Sequence, residues 1–326
     1  MKNRMLIGGW LIAALSFTGC QDSDFQPDYV TLNLPDYFPA MVIPDDNPLT
    51  RQGIALGRKI YYDQRMHSTQ QMSCSSCHEQ ASSFTTAEAN CMAHINLAWH
   101  SAFLWNGKIE GTLEDVAMFE LVDFFGTDIN VFLNDTTYHR MFKEAFNIKS
   151  DEITFKYASY ALAQFLRTMN SYNSKYDQWK RGEYQFSPSE WNGFVLFNSE
   201  RGECFHCHAN HLFVDNEFHD IGLDMSPSPG RFTMTGNQND FGKFKTPTLR
   251  NIELTAPYMH DGRFQTLEEV MNFYSSGVQN SDNVTTLLPA HNGGLNLTAQ
   301  EKADIIAFMK TLTDNTYITN PDLSAP

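Results

Sequence analysis

One five-residue pattern occurs twice in this chain. Cys74, Cys77 and His78 stand in CSSCH, and Cys204, Cys207 and His208 stand in CFHCH. Thiols three positions apart lie on one side of a helical turn. Both can therefore form thioether bonds to the two vinyl groups of a single tetrapyrrole. The residue that follows then aims an imidazole at the iron. C-x-x-C-H is the attachment sequence of a c-type haem, with the histidine as proximal ligand. A zinc centre uses the same residue types, but it needs two C-x-x-C pairs converging on one ion and gives no reason for a histidine after each. A redox-active disulfide explains neither histidine. The expectation is two covalently bound haems c.

The elements around these motifs must position them. The motifs begin 130 residues apart (204 minus 74), which allows one haem per domain of ordinary size. GIALGRKIYYDQ precedes the first motif and WNGFVLFNSERGE the second, a faint internal repeat that reads as a helix leading into each haem-binding turn. A third helix is expected over Glu152 to about Asn170, with Ile153, Tyr157, Ala161, Leu162 and Phe165 on one face and Ser150 as its cap. Near the C-terminus, Thr298 and Glu301 form a capping box ahead of an apolar stripe of Ile305, Ile306, Met309 and Leu312. Long β-type alternation is absent. The fold class expected is all-α: two cytochrome c-like helical domains, residues 49–184 and 185–316, each carrying one haem, followed by a tail at 317–326.

The first residues read as an address. Lys2 and Arg4 precede an apolar run of 13 residues, Met5 to Phe17, which ends at SFTGC. This is the build of a bacterial secretion signal. It resembles a lipoprotein signal over 1–20, with Cys20 becoming the lipidated first residue. The run is too short for a membrane span. Residues 21–48, rich in Asp and Pro, read as a tether to a membrane surface. The expected location is the bacterial cell envelope, on the periplasmic side. With 23 basic and 38 acidic residues the formal charge is −15. That argues against nucleic-acid binding and favours a basic protein partner.

Beyond the haem motifs, the sequence resembles the bacterial dihaem cytochrome c peroxidase and MauG family over about residues 49–315. The likeness is strongest in GRFTMTGNQNDFGKFKTPTLRNIELTAPYMHDGRFQTLEEV, and it continues in LGRKIYYDQRMHSTQQMSCSSCH, INLAWHSAFLWNG and TLEDVA. The resemblance implies a division of labour: the N-terminal haem, held by His78, meets hydrogen peroxide, and the C-terminal haem, held by His208, takes electrons from a donor. In the family the second ligand of the C-terminal haem is Met in peroxidases and Tyr in MauG-type members; that position is Tyr274 here, with Met259 and Met271 as alternative sulfur ligands nearby. Trp105 matches the tryptophan between the haems. Asn90, Thr255 and Pro257 match a calcium site between the domains. Arg250 falls in the best-matched block and could pair with a haem propionate; His260 falls there too.

The resemblance weakens where reactivity is set. Only residues 79–104 separate His78 from Trp105, shorter than usual in the family. The family's distal glutamate should fall near Gly126, within ELVDFFGTD, where no carboxylate stands in register; Glu120 and Asp123 lie upstream and Asp128 downstream. Lys108 replaces a family arginine. His94 and His100 could supply a distal imidazole, either as acid–base group or as a sixth iron ligand. Cys91 is the unpaired cysteine and reads as a small buried residue.

Three functions follow as expectations. The first is a dihaem cytochrome peroxidase that reduces hydrogen peroxide with electrons from a small redox protein, a cytochrome or a cupredoxin, with Trp105 and His94 as its catalytic residues. The second is a MauG-type oxidase acting on a partner protein. The third is a non-catalytic electron-transfer cytochrome, should His94 or His100 close the first iron. Neither the donor's identity nor a homodimer is fixed by the sequence.

Overall fold

The structure, a computed structural model, describes residues 25–326; the signal segment and Cys20 lie outside the described residues. The chain forms two mainly helical lobes. The first holds α1 (Arg51–Tyr62), the single turn α2 (Cys74–Cys77), α3 (Leu113–Phe119), α4 (Asn130–Leu133), α5 (Thr136–Phe146) and α6 (Phe155–Leu166). The second holds α7 (Lys175–Lys180), α8 (Pro188–Phe197), α9 (Phe232–Thr235), α10 (Leu267–Ser276) and α11 (Ala299–Lys310); the last helix, α12 (Asn315–Ile318), returns to the first lobe. Among the described residues strands are confined to two short antiparallel pairs, β1 (Ala102–Phe103) with β2 (Ile109–Glu110) and β3 (Phe218–His219) with β4 (Phe244–Lys245).

The same helix pair is built twice. In the first lobe α1 packs on α6, and in the second α8 packs on α11. Each crossing has a glycine at its closest point. A β-carbon on Gly57 would stand 1.9 Å from the carbonyl oxygen of Ala161, and one on Gly193 would stand 1.8 Å from that of Asp304. Only a residue without a side chain permits backbones that close. α1 then runs into CSSCH and α8 into CFHCH, so the faint sequence repeat is a repeat in space. The expected capping box at Thr298 and Glu301 starts α11, with Ile305, Ile306, Met309 and Leu312 buried beneath it.

A second repeat places the residues that face the haem-binding turns. TLEDVAMFE and TLEEVMNFY each open with a capping box, Thr112 with Asp115 and Thr266 with Glu269. The boxes start α3 and α10. The ninth residue of each segment is Glu120 in the first and Tyr274 in the second.

Several expected boundaries move. The helix expected from Glu152 begins at Phe155 with Thr154 as its N-cap, and Ser150 opens a separate 3₁₀ turn. α7 belongs to the second core, because Tyr176 and Trp179 pack with Phe186 and Phe308. The lobes therefore divide near Ser174 rather than at 184. The segment expected to be a tether is docked from Asp28 onward. Asn47 is buried against Gln164 and Glu114, and the Tyr37 hydroxyl donates to Asp177 at 2.9 Å. A stretch without periodicity can still be ordered when its side chains satisfy buried polar groups. The expected tail likewise folds back. Tyr317 and Leu323 enter the first core, and Arg58 donates to the Ser324 carbonyl. Among the described residues, no helix is long and apolar enough to cross a membrane.

Candidate haem sites and the residues between them

Both C-x-x-C-H turns have one geometry. The His78 amide donates to the Cys74 carbonyl at 3.0 Å, and the His208 amide to that of Cys204 at 2.9 Å. Each imidazole is then oriented through Nδ1. His78 Nδ1 lies 2.8 Å from the carbonyl oxygen of Phe84, and His208 Nδ1 lies 3.1 Å from that of Phe213. A ring that donates its Nδ1 proton to a carbonyl presents a free Nε2 lone pair, the usual preparation of a histidine for a metal. The four motif cysteines form no disulfide.

Each motif opens on its own large cavity. The first is lined by Cys74, Cys77 and His78, the second by Cys204, Cys207 and His208. A further residue, which the sequence did not single out, bears on what fills the second cavity. Lys245, on β4, lines it and is 2% exposed. Its ammonium reaches the Asn216 side-chain oxygen at 3.1 Å and the Thr246 carbonyl at 3.5 Å, both neutral. No carboxylate among the described residues pairs with it, and burial lowers it to about 8. A buried cation without an ion partner is expensive. A flat apolar ring bearing carboxylates satisfies both the cavity walls and this lysine. Thiols, imidazoles and lysine together fit a haem c.

Trp105 lines both cavities. Its indole N–H donates to the Asn90 carbonyl at 3.0 Å, and its own carbonyl accepts from the Lys245 amide at 2.8 Å. Tyr274 lines the second cavity from α10, as do Met259, Met271, Met309 and His260. Burial holds the Tyr274 phenol well above its ordinary value. Among the described residues its hydroxyl has no hydrogen-bond partner, so it is free to face the ring.

Other expected site residues are placed differently. His94 is not across the first cavity from His78. The two imidazoles are stacked side by side, centroids 3.5 Å apart and 17° from parallel, and His94 Nδ1 is 3.1 Å from the Tyr61 hydroxyl. His100 does line the first cavity; burial, with Lys245 second, lowers it to about 3, so it is neutral. Arg250 is fully buried and its guanidinium is already engaged, bidentate to Asp177 at 2.9 and 3.0 Å and bonded to the His211 carbonyl. It also lines the first cavity. Asn90, Thr255 and Pro257 do come together on one wall of the first cavity. There the Asn90 amide nitrogen donates to the carbonyls of Met259 and His260.

The position expected for the family's glutamate is Gly126 here. Gly126 is exposed, in a left-handed turn with φ +60°, and Asp123 and Asp128 are also exposed. Glu120 is different. It lines the first cavity, the one carboxylate among the described residues that does, where α3 widens into a π-helical turn over Glu120–Phe124. Such turns concentrate at functional sites. Its sequence signal was the match between TLEDVAMFE and TLEEVMNFY.

Comparison with known proteins agrees with this geometry. The family model described as di-haem cytochrome c peroxidase matches residues 51–185. The methylamine utilization protein MauG of Methylophilus methylotrophus is 32% identical, over 85% of this chain and 86% of its own. The cytochrome c551 peroxidase of Nitrosomonas europaea is 28% identical, over 83% and 81%. Among solved structures, a MauG-like protein associated with microbial copper homeostasis superposes with a TM-score of 0.84 at 33% identity, covering 91% of this chain and 99% of that one. A dihaem family implies two haem c groups, which the two cavities accommodate. The chain is an oxidoreductase and belongs to the dihaem cytochrome c peroxidase/MauG family.

Proposed function

We propose that the chain is a peroxide-driven oxidase of the MauG kind, which draws electrons from a partner protein. The observation that carries this reading is Tyr274 at the second cavity. A phenolate is a hard anionic ligand that stabilises ferric iron and lowers the reduction potential, whereas a thioether raises it. A low-potential second haem suits storage of oxidising power better than electron uptake from a high-potential donor. Bound haem supplies the iron chemistry with peroxide and the one-electron steps. The chain supplies the rest. His78 and His208 would hold the two haem irons, Tyr274 would be a further ligand of the second, and Trp105, which lines both cavities, would relay electrons between them.

The runner-up reading is a peroxidase fed by a cytochrome or cupredoxin. Met259, Met271 and Met309 line the same second cavity and favour it, since a sulfur ligand would raise the potential. Redox titration of the holoprotein separates the two. Substituting Tyr274→Met should raise the second haem's potential. An unchanged potential would mean that Tyr274 is not a ligand and would remove the support for the oxidase reading. We further read Cys20 as a lipid anchor in the cell envelope, and the grouping of Asn90, Thr255 and Pro257 as a calcium site, where an amide oxygen and two backbone carbonyls are suitable hard donors.

A further inference from the structure

The first cavity needs a group to handle protons. In peroxide reduction, hydrogen peroxide, two protons and two electrons give two water molecules. One proton must pass from the inner peroxide oxygen to the outer one, so that the outer oxygen leaves as water when the O–O bond breaks. A placed carboxylate is suited to this transfer. The position where the family would supply one is Gly126, which faces outward on an exposed turn.

We infer that Glu120 is the acid–base carboxylate of the first cavity, supplied from a position six residues earlier in the chain. Three independent observations meet on it. It is the one carboxylate among the described residues lining this cavity, which it shares with His78, Cys74 and Cys77. It occupies the place in TLEDVAMFE that Tyr274 occupies in TLEEVMNFY, after matching capping boxes on α3 and α10. Tyr274 lines the second cavity from that place, so the repeat that aims a phenol into one cavity aims a carboxylate into the other. Third, α3 does not continue regularly past Phe119. It widens into the π-helical turn Glu120–Phe124, which leaves Leu121 and Phe125 buried while Phe124 lines the cavity and is 56% exposed.

The surroundings suit proton transfer rather than a fixed salt bridge. Among the described residues no arginine, lysine or backbone donor hydrogen-bonds to the Glu120 carboxylate. Lys108, also on the cavity wall, instead lies 4.6 Å from the centroid of the Phe119 ring. Burial raises the Glu120 carboxyl above its ordinary value, against the opposing pull of His78 and Lys108. The neighbouring histidines are less suited. His94 is stacked on the proximal ring, and His100 is held neutral.

This inference rests on the peroxide-driven reading, shared by oxidase and peroxidase; it uses the position of Tyr274 but does not need Tyr274 to be an iron ligand. The test uses the dihaem holoprotein and the variants Glu120→Gln and Glu120→Asp. Stopped-flow mixing with hydrogen peroxide should show Glu120→Gln slower by about 10²–10⁴-fold, with Glu120→Asp recovering part of the loss. The second readout is cyanide binding to the first ferric haem, followed by its spectral shift. Neutral hydrogen cyanide must give up a proton to bind, so its association should slow in Glu120→Gln without any turnover being involved. Wild-type rates with both reagents in Glu120→Gln would overturn the inference. So would a change of spin state at the first iron in the resting variant, since that would make Glu120 an iron ligand. If instead wild-type protein fails to react with peroxide at all, it is the function that fails, and cyanide binding still decides the role of Glu120.

Discussion

The imidazole of His94 lies flat against that of His78, with ring centroids 3.5 Å apart and planes 17° from parallel. Its own carbonyl accepts a hydrogen bond from Tyr317, and its Nδ1 meets Tyr61, so it is fixed from two sides. Burial, with His78 second, holds it far below the usual histidine range and therefore neutral. A ring fixed beside His78 would not close the opposite face of the first haem iron, and His100 is then the other imidazole on that cavity. The resting holoprotein should then show a high-spin first haem, and His94→Ala should leave that spin state unchanged. A low-spin first haem that turns high-spin in His94→Ala would show that His94 swings across to close the iron.

Lys245 should act on the second haem through charge. An ammonium beside a ferric centre disfavours the extra positive charge of the oxidised state, and a propionate left without its partner favours it. Both effects push the same way, so Lys245→Gln should lower the second haem's potential. A tenfold change in the ferric-to-ferrous ratio corresponds to about 59 mV for one electron, and a shift of that order is expected. Lys245→Arg, which keeps the charge, should stay near wild type. Spectroelectrochemical titration of both haems measures this; equal shifts in the two variants would assign the effect to packing instead.

The haem motifs were legible in the sequence because covalent attachment imposes a local spacing, and the flanking helices because capping boxes such as Thr298 with Glu301 are local too. The partners of Arg250, Asn47 and Tyr317 were not. Asp177 meets Arg250 across 73 positions and Asn47 meets Gln164 across 117. Nothing in composition or periodicity marks such pairs. Glu120 was hidden for another reason. The family register points past it to Gly126, and the wide turn at Glu120–Phe124 turns the acids that follow, Asp123 and Asp128, outward. His94 was misplaced because residue type announces a possible ligand but not the side from which it comes.

The Arg250–Asp177 pair, with neither side chain exposed, should dominate the stability of the second lobe. Burial acts to raise the Asp177 carboxyl, but Arg250 and the bonds from Ser174 outweigh it and hold it below the usual range. Arg250→Met leaves that carboxylate buried without its cation, at a cost of about 3–5 kcal/mol. Because the folded value lies below the unfolded one, Asp177 contributes stability that is complete above about pH 4. That contribution is lost as pH falls through the lower, folded value. Chemical denaturation at neutral and at acid pH should show the variant's deficit shrinking in acid. A deficit that is the same at both would mean the loss comes from packing alone.

The two glycine crossings make a paired prediction. A β-carbon at Gly57 would meet the Ala161 carbonyl at 1.9 Å, and one at Gly193 would meet that of Asp304 at 1.8 Å. Neither obstacle is a flexible side-chain end, so the helices themselves must part. Gly57→Ala and Gly193→Ala should each destabilise by at least the roughly 1–3 kcal/mol typical of an overpacked core, despite the better helix propensity of alanine. For lobes of this size that is about 2–4 °C of melting temperature per kcal/mol. The site consequences differ by lobe. α1 leads into the turn of His78 and α8 into that of His208, so Gly57→Ala should disturb the spectrum of the first haem and Gly193→Ala that of the second. Differential scanning calorimetry with haem-resolved spectra tests both. If either variant melts at or above the wild-type temperature, that helix pair is not held at backbone contact, and the twofold repeat argued from it does not hold.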